Sequence, residues 1–199
     1  MELLKSDIQR ELEDLVTRLM RDKNAFSDLQ GKLAQGQHFD RDLWASLAQL
    51  GLLCVPFSEQ RGGTGGGFAD VAVVVAALGK GLCIEPYIGN VVLCGSLLSE
   101  DSSTLAAMMS GEKLLAFAHA ERGKGGNPAH VEASAEASGE GYVLSGDKAH
   151  VFGGDVADSY IVSARTSGDG DERSGISLFL VDRNAPGVEV KTHITNDNM

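Results

Sequence analysis

The sequence predicts an α+β protein, an all-helical first region followed by a region of strands. Three observations carry that reading. Up to residue 112 the apolar residues recur at three and four, the spacing of one helix face. From residue 113 onward they recur closer to two, with frequent glycine turns. The chain has 199 residues, 43% of them hydrophobic and 23% charged, a composition ordinary for a globular protein and a length that suits one large domain or two small ones. The domains are therefore drawn as 1–112 (helical) and 113–199 (strand-rich).

Leu4, Ile8, Leu12, Leu15 and Leu19 place the first helix at residues 3–22. Asp40 caps a second over 41–50, with Leu43, Trp44, Leu47 and Leu50 as its apolar stripe and Gly51 as its stop. The glycine-dense stretch 61–67 cannot hold a helix and reads as an interhelical turn. A third helix, 68–79, is apolar nearly all round, so burial on several sides is expected. Two more follow at 87–98 and 102–109. Strands are expected at 114–120, at 131–138 (Val131, Ala133, Ala135 and Ala137 alternating with polar residues), at 142–144 and at 160–164. The polar stretch 167–174 is a hairpin loop with a solvated face of Asp169, Asp171 and Glu172, and 175–181 is the return strand. A last strand is expected at 188–194. Nothing after it covers its edge, so either its partner strands come from another chain or the sequence is part of a longer protein.

With 17 Lys+Arg against 28 Asp+Glu, the formal net charge is −11. Both halves are acidic, and such a field repels phosphate backbones, so nucleic acid is not an expected partner. No apolar run reaches the ~18 residues of a membrane span. The start, Met1-Glu2-Leu3-Leu4-Lys5, lacks the basic opening and apolar core of a secretory signal, and a cytoplasmic location is expected. Cys54, Cys83 and Cys94 are odd in number and lack metal-type spacing, so they read as buried small hydrophobes. The Gly-Lys pairs do not complete a phosphate loop, the five histidines form no close pair, and a nucleophile elbow is absent. No metal ligand set is drawn.

The ordered segments bring in a family. Residues 43–53 run into Val55-Pro56 and Glu59-Gln60-Arg61-Gly62-Gly63, similar to a "P-E-x-x-G-G-x-G" turn. Phe117-Ala118-His119-Ala120-Glu121-Arg122-Gly123 stands where an aromatic and then "T-E-P-G-A-G-S-D" are usual. Tyr142-Val143-Leu144-Ser145-Gly146-Asp147-Lys148 is similar to "Y-x-L-N-G-x-K", and 158–165 and 175–182 resemble the two strands that follow. Together these segments resemble the N-terminal and middle domains of the flavin-dependent acyl-CoA dehydrogenases, with a look closest to the small subunits of pimeloyl-CoA-type heteromers. The resemblance implies a helical N-terminal domain, a β-barrel or sheet-rich middle domain that is incomplete here, and no C-terminal helical bundle.

It also implies FAD as cofactor, an acyl-CoA substrate, an electron-transfer partner, and homo- or hetero-oligomers with related subunits. By position, Phe117, Ala118, His119 and Ala120 would lie along the flavin ring, with His150 and Phe152 closing the other side. Gly126 and Asn127 would stand by the CoA portion of the substrate. Glu121 would hold the turn. Ala120 and Phe152 replace threonines, His150 a tryptophan, Arg122 a proline, and Gly126-Asn127-Pro128 the usual Ser-Asp. The family's general base lies on the C-terminal domain, so no catalytic residue is assigned and this chain alone is expected to be inactive. Three functions stay open: the first two domains of a dehydrogenase, a non-catalytic partner subunit, or a flavin monooxygenase of the same fold.

Overall fold

The computed structural model describes residues 5–99, 102–123 and 126–193. The chain divides into two compact units, one running up to Lys113 and one covering Leu114–Lys191. The first is helical and the second carries the strands.

Helix α1 (Asp7–Lys23) begins at a reciprocal cap. The Ser6 hydroxyl accepts from the Gln9 N–H, and the Gln9 side chain accepts from the Ser6 N–H. Two amides that the first turn leaves without carbonyls are thereby satisfied. This start corrects the expected one at residue 3; Leu4 lies outside the described residues. Ile8, placed on the apolar face, is 67% exposed, and the buried stripe is Val16, Leu19 and Met20. The apolar spacing predicts no helix over residues 24–39, yet α2 (Phe26–Ala34) forms there. It buries only Leu29, too little apolar periodicity to be read. Helix α3 (Arg41–Gln49) follows expectation: the Asp40 carboxylate accepts from the Asp42 and Leu43 N–H groups, and Gly51 at φ 72° ends it. Leu50, assigned to its stripe, is instead 41% exposed.

Helix α4 (Phe68–Lys80) packs on α1. Its expected burial on several sides is corrected to one stripe, Val71, Val74, Ala77 and Leu78, while Phe68 is 88% exposed. The glycine-dense turn before it is a packing requirement. A Cβ at Gly63 would sit 2.1 Å from the Phe57 carbonyl oxygen, and one at Gly66 would sit 2.6 Å from that of Val55. The expected helix at 87–98 is a π-helix, Ile88–Cys94, running into α5 (Gly95–Leu97). Arg61 donates to the Gly95 and Leu98 carbonyls at its end and lies over the Phe57 ring. Helix α6 (Ser103–Met109) completes the unit. Cys94 is buried, whereas Cys54 and Cys83 are only half-buried, contrary to expectation. Burial pushes the Cys94 thiol up to about 12, which leaves it unreactive.

The second unit contains β1 (Leu115–Ala118), β2 (Ser134–Ser138), β3 (Gly141–Ser145), β4 (Ser159–Arg165) and β5 (Ile176–Asp182). β4 is the centre. It runs parallel to β1 (Phe117 beside Ile161), antiparallel to β5 (Ile161 beside Leu180), and meets β2 at Ser134 and Arg165. One face of β4 packs Tyr160 against Ala116, Ala118 and Ala157, and Ala164 against Val131, Ala133 and Ala135. Ile161, Ser163 and Arg165 on the other face are buried too. A strand covered on both sides reads as a near-continuous apolar run, as 160–164 does. The alternation holds over 131–136, but Ala137, expected on the buried face, is exposed, and only Ser134–Ser138 enters the ladder. The expected strand at 188–194 is corrected. Residues 188–193 are irregular, with no strand beside them among the described residues, and Ile194 lies outside those residues.

Arg165 organises the β4–β5 hairpin. Its guanidinium donates to the carbonyls of Val131 (2.7 Å), Ser174 (2.9 Å), Ala129 (2.9 Å), Gly170 (2.9 Å) and Glu172 (2.7 Å). Nε and Nη1 take one oxygen each and Nη2, with two N–H groups, faces three, so one proton there is shared; the planar guanidinium fork makes this convergence possible. Asp171 is exposed, as expected of the solvated face, and from there it also accepts from His130 Nδ1 (3.0 Å) and Asn127 Nδ2 (3.3 Å). Arg165→Leu is expected to lower the unfolding free energy by about 3 kcal/mol, because buried carbonyls lose their donors. Arg165→Lys, with three donors, should recover less than half. Urea unfolding measures both, and an unchanged midpoint for Arg165→Leu would show the clamp to be idle.

Candidate functional site

β1 ends at Ala118, and the chain's expected site residues straddle that end. Ala116 and Ala118 point into the Tyr160 cluster. Phe117 and His119 therefore share the opposite face, where their rings stack with centroids 5.3 Å apart and planes 6° from parallel. Both are half-buried, and Ala120 beyond them is exposed.

A strap, residues 148–152, crosses the end of β1. The Ala149 N–H donates to the Ala120 carbonyl (2.8 Å). Lys148 Nζ, on the Phe117 and His119 side, donates to the His119 carbonyl (3.2 Å), Glu121 Oε1 (2.6 Å) and Ser163 Oγ (3.0 Å). Val151, on the far side, packs on the Ala116 and Ala118 cluster. His150 and Phe152 flank Val151 and face solvent, Phe152 at 83% exposure. His150 has φ +53°, a region that L-residues enter rarely and mostly where surrounding structure over-determines them. The structure thus brings 117–120 and 149–152 together around one strand end. Gly126 and Asn127 lie on a different loop. Gly126, at φ +92°, has open space around it. Asn127 spends its side chain on the Ala129 N–H (3.1 Å) and on Asp171.

Glu121 holds the turn, as the resemblance implies. Its carboxylate accepts from Lys148, from the Glu132 N–H (2.6 Å) and from the Ala133 N–H (3.0 Å). Burial alone would raise this carboxyl, but the Lys148 bond and the two backbone amides hold it below the ordinary 4.5. Lys148 shows the opposite balance: burial lowers its ammonium below 10.5, and Glu121 only partly restores it. The side chains are 9% and 6% exposed, so the gain seen at Glu121 is partly spent desolvating Lys148. Glu121, His130 and Glu132 bring one ligand-type atom each within 4.8 Å. Glu121 accepts from Lys148, His130 Nδ1 meets Asp171, and His130 Nε2 lies 3.6 Å from Glu132 Oε1.

The sequence reading assigned no role to Lys148 or Ser163. A signal was present for Ser163, a hydroxyl inside the apolar run Tyr160-Ile161-Val162-Ser163-Ala164. A buried polar group in such a run needs a partner.

Comparison with known proteins fixes the family. The acyl-CoA dehydrogenase N-terminal domain model matches residues 6–103, and the middle domain model matches 116–198. The chain belongs to the acyl-CoA dehydrogenase family. It is 35% identical over 161 residues to the acyl-CoA dehydrogenase FadE27 of Mycobacterium tuberculosis, covering 77% of this chain and 40% of that protein. Among solved structures it resembles the ChsE4–ChsE5 complex of the same organism, with TM-score 0.84, 30% identity, and coverage of 100% of this chain and 53% of that one. The FAD complex of PigA is similar at TM-score 0.82 and 27% identity, covering 94% of this chain and 51% of that one. The chain spans about half the length of the relatives it matches.

Glu121→Gln and Lys148→Met should each cost about 3 kcal/mol, since each strands a buried partner, while the double variant should lose less than their sum. Glu121 has a folded-state pKa below its unfolded value. Its contribution is complete above about pH 4.5 and is lost as the pH falls from there through the folded value. Urea unfolding between pH 3 and 7 should therefore show a shallower acid-side loss in Glu121→Gln than in the parent chain.

Proposed function

We propose that this chain supplies the FAD-holding part of an acyl-CoA dehydrogenase, with the ring system lodged at the end of β1. The observation that carries the reading is the strap crossing that end. It leaves Phe152 exposed and His150 strained beside Ala120, within the segment matched by the family's middle domain. A large exposed aromatic beside a strained residue fits a planar heteroaromatic ligand better than it fits water. Phe117, Ala118, His119, Ala120, His150 and Phe152 would hold the group. Gly126 and Asn127 remain proposed contacts to the CoA portion of the substrate.

The chemistry FAD supplies when bound is acceptance of a hydride. The reaction class is α,β-dehydrogenation of an acyl-CoA, in which the α-hydrogen leaves as a proton and the β-hydrogen as a hydride. Glu121 is unsuited to take the proton, because three donors already saturate its carboxylate. The family resemblance implies that the base lies on a C-terminal helical domain, so a longer polypeptide or a companion subunit would supply it, and an electron-transfer partner would accept the electrons from bound FAD in a cytoplasmic setting.

A second reading, a non-catalytic partner subunit, is favoured by one feature. Ala120 and Phe152 offer no hydroxyl at the strand end, so FAD would be held with fewer polar contacts. The purified chain should show flavin absorption that survives desalting after FAD is added. Phe152→Ala should leave the melting temperature unchanged and weaken FAD binding about tenfold. A chain that ignores FAD alone, but retains it when co-expressed with a full-length homologue, would favour the subunit reading.

A further inference from the structure

His119 carries a donor that the rest of the sheet fixes in place. Lys148 is surrounded by three acceptors, the His119 carbonyl, Glu121 Oε1 and Ser163 Oγ, which use its three N–H groups. Ser163 Oγ therefore accepts a proton from Lys148. Ser163 is fully buried, and its own O–H must also find an acceptor. Among the described residues the remaining partner of Ser163 Oγ is His119 Nδ1, at 2.9 Å. The hydroxyl proton consequently points at Nδ1. An imidazole whose Nδ1 accepts carries its hydrogen on Nε2.

The two ring nitrogens point in widely different directions. With Nδ1 aimed at β4, Nε2–H is directed away from β4. Among the described residues β1 has no strand neighbour on its side away from β4. The stacked Phe117 ring restrains the imidazole plane, and among the described residues Nε2 has no hydrogen-bond partner.

We propose that His119 is a specificity-determining residue of the strand-end site. The chain Lys148 to Ser163 to His119 holds its imidazole as the Nε2–H tautomer, and that N–H is a preset donor to a carbonyl oxygen or ring nitrogen of the isoalloxazine. Lys148 and Ser163 are positioning residues that act through His119. The ligand half of this proposal rests on the flavin reading; the tautomer half does not. The arrangement substitutes a fixed side-chain donor for the hydroxyls that Ala120 and Phe152 lack.

The test uses the whole chain labelled with 15N-histidine, and FAD as the probe. Long-range 1H–15N correlation distinguishes the tautomers, and His119→Phe identifies the His119 signals by their loss. The expected result is a pure Nε2–H pattern that drifts toward a tautomer mixture in Ser163→Ala. Addition of FAD should shift the Nε2 signal, and His119→Phe should bind FAD about fivefold more weakly. An Nδ1–H pattern in the parent chain overturns the relay, without reference to any ligand. FAD that binds while the His119 nitrogens stay unmoved, with equal affinity in His119→Phe, overturns the donor role and leaves the flavin reading standing. Failure to bind FAD both alone and when co-expressed with a full-length homologue overturns the flavin reading and the donor role together, while the tautomer is still decided by its own pattern.

Discussion

The ammonium of Lys148 is nine-tenths buried, and each of its three protons has to end on an oxygen inside the sheet. That requirement ties together parts of the chain far apart in sequence: the turn after β1 through Glu121 and the His119 carbonyl, the central strand through Ser163, and the strap through Lys148 itself. Remove the ammonium and Glu121 is left buried without its counter-charge, and Ser163 loses the donor that orients its hydroxyl. The strand end where the family's ligand is proposed to sit is thus shaped by a cation whose three protons are all taken up within the sheet.

A second cation is handled differently. Among the described residues Arg165 meets no carboxylate in its hydrogen-bond set; five carbonyls share its charge. Carbonyls belong to the backbone and cannot be lost by substitution, so this clamp holds the β4–β5 hairpin to residues 129–131 whatever side chains the loop carries. The two cations sit at either part of the same buried face of β4. Lys148 meets it at Ser163, and Arg165 is its last residue. The acidic excess of the chain plays little part in either, because only one of the acids, Glu121, is drawn into the pairing.

The segments legible in the sequence were those whose signals are local. Asp40 before α3, Gly51 after it, and the apolar run of β4 needed only their neighbours to be read. α2 was missed because a helix that buries one leucine has no apolar stripe. Ile8 and Leu50 were misplaced because a helix can satisfy a three-four spacing on a face that its neighbours never cover. The strand expected over 188–194 failed for a related reason. Alternation describes how a side chain would sit in a sheet, but a strand exists only where a second strand accepts its hydrogen bonds.

The sequence by itself determined the order of helices and strands, the acidic character, and, through ordered short motifs, the family and the two segments that meet at the end of β1. Those features depend on residue type and short spacing. Only the tertiary structure decided that Phe117 and His119 stack, that Phe152 stays in solvent while Val151 anchors the strap, that Asn127 serves its own loop, and that Lys148 and Ser163 stand behind His119. These depend on which buried donor meets which buried acceptor, and that pairing is made across the fold, between residues whose distance in sequence carries no trace of it.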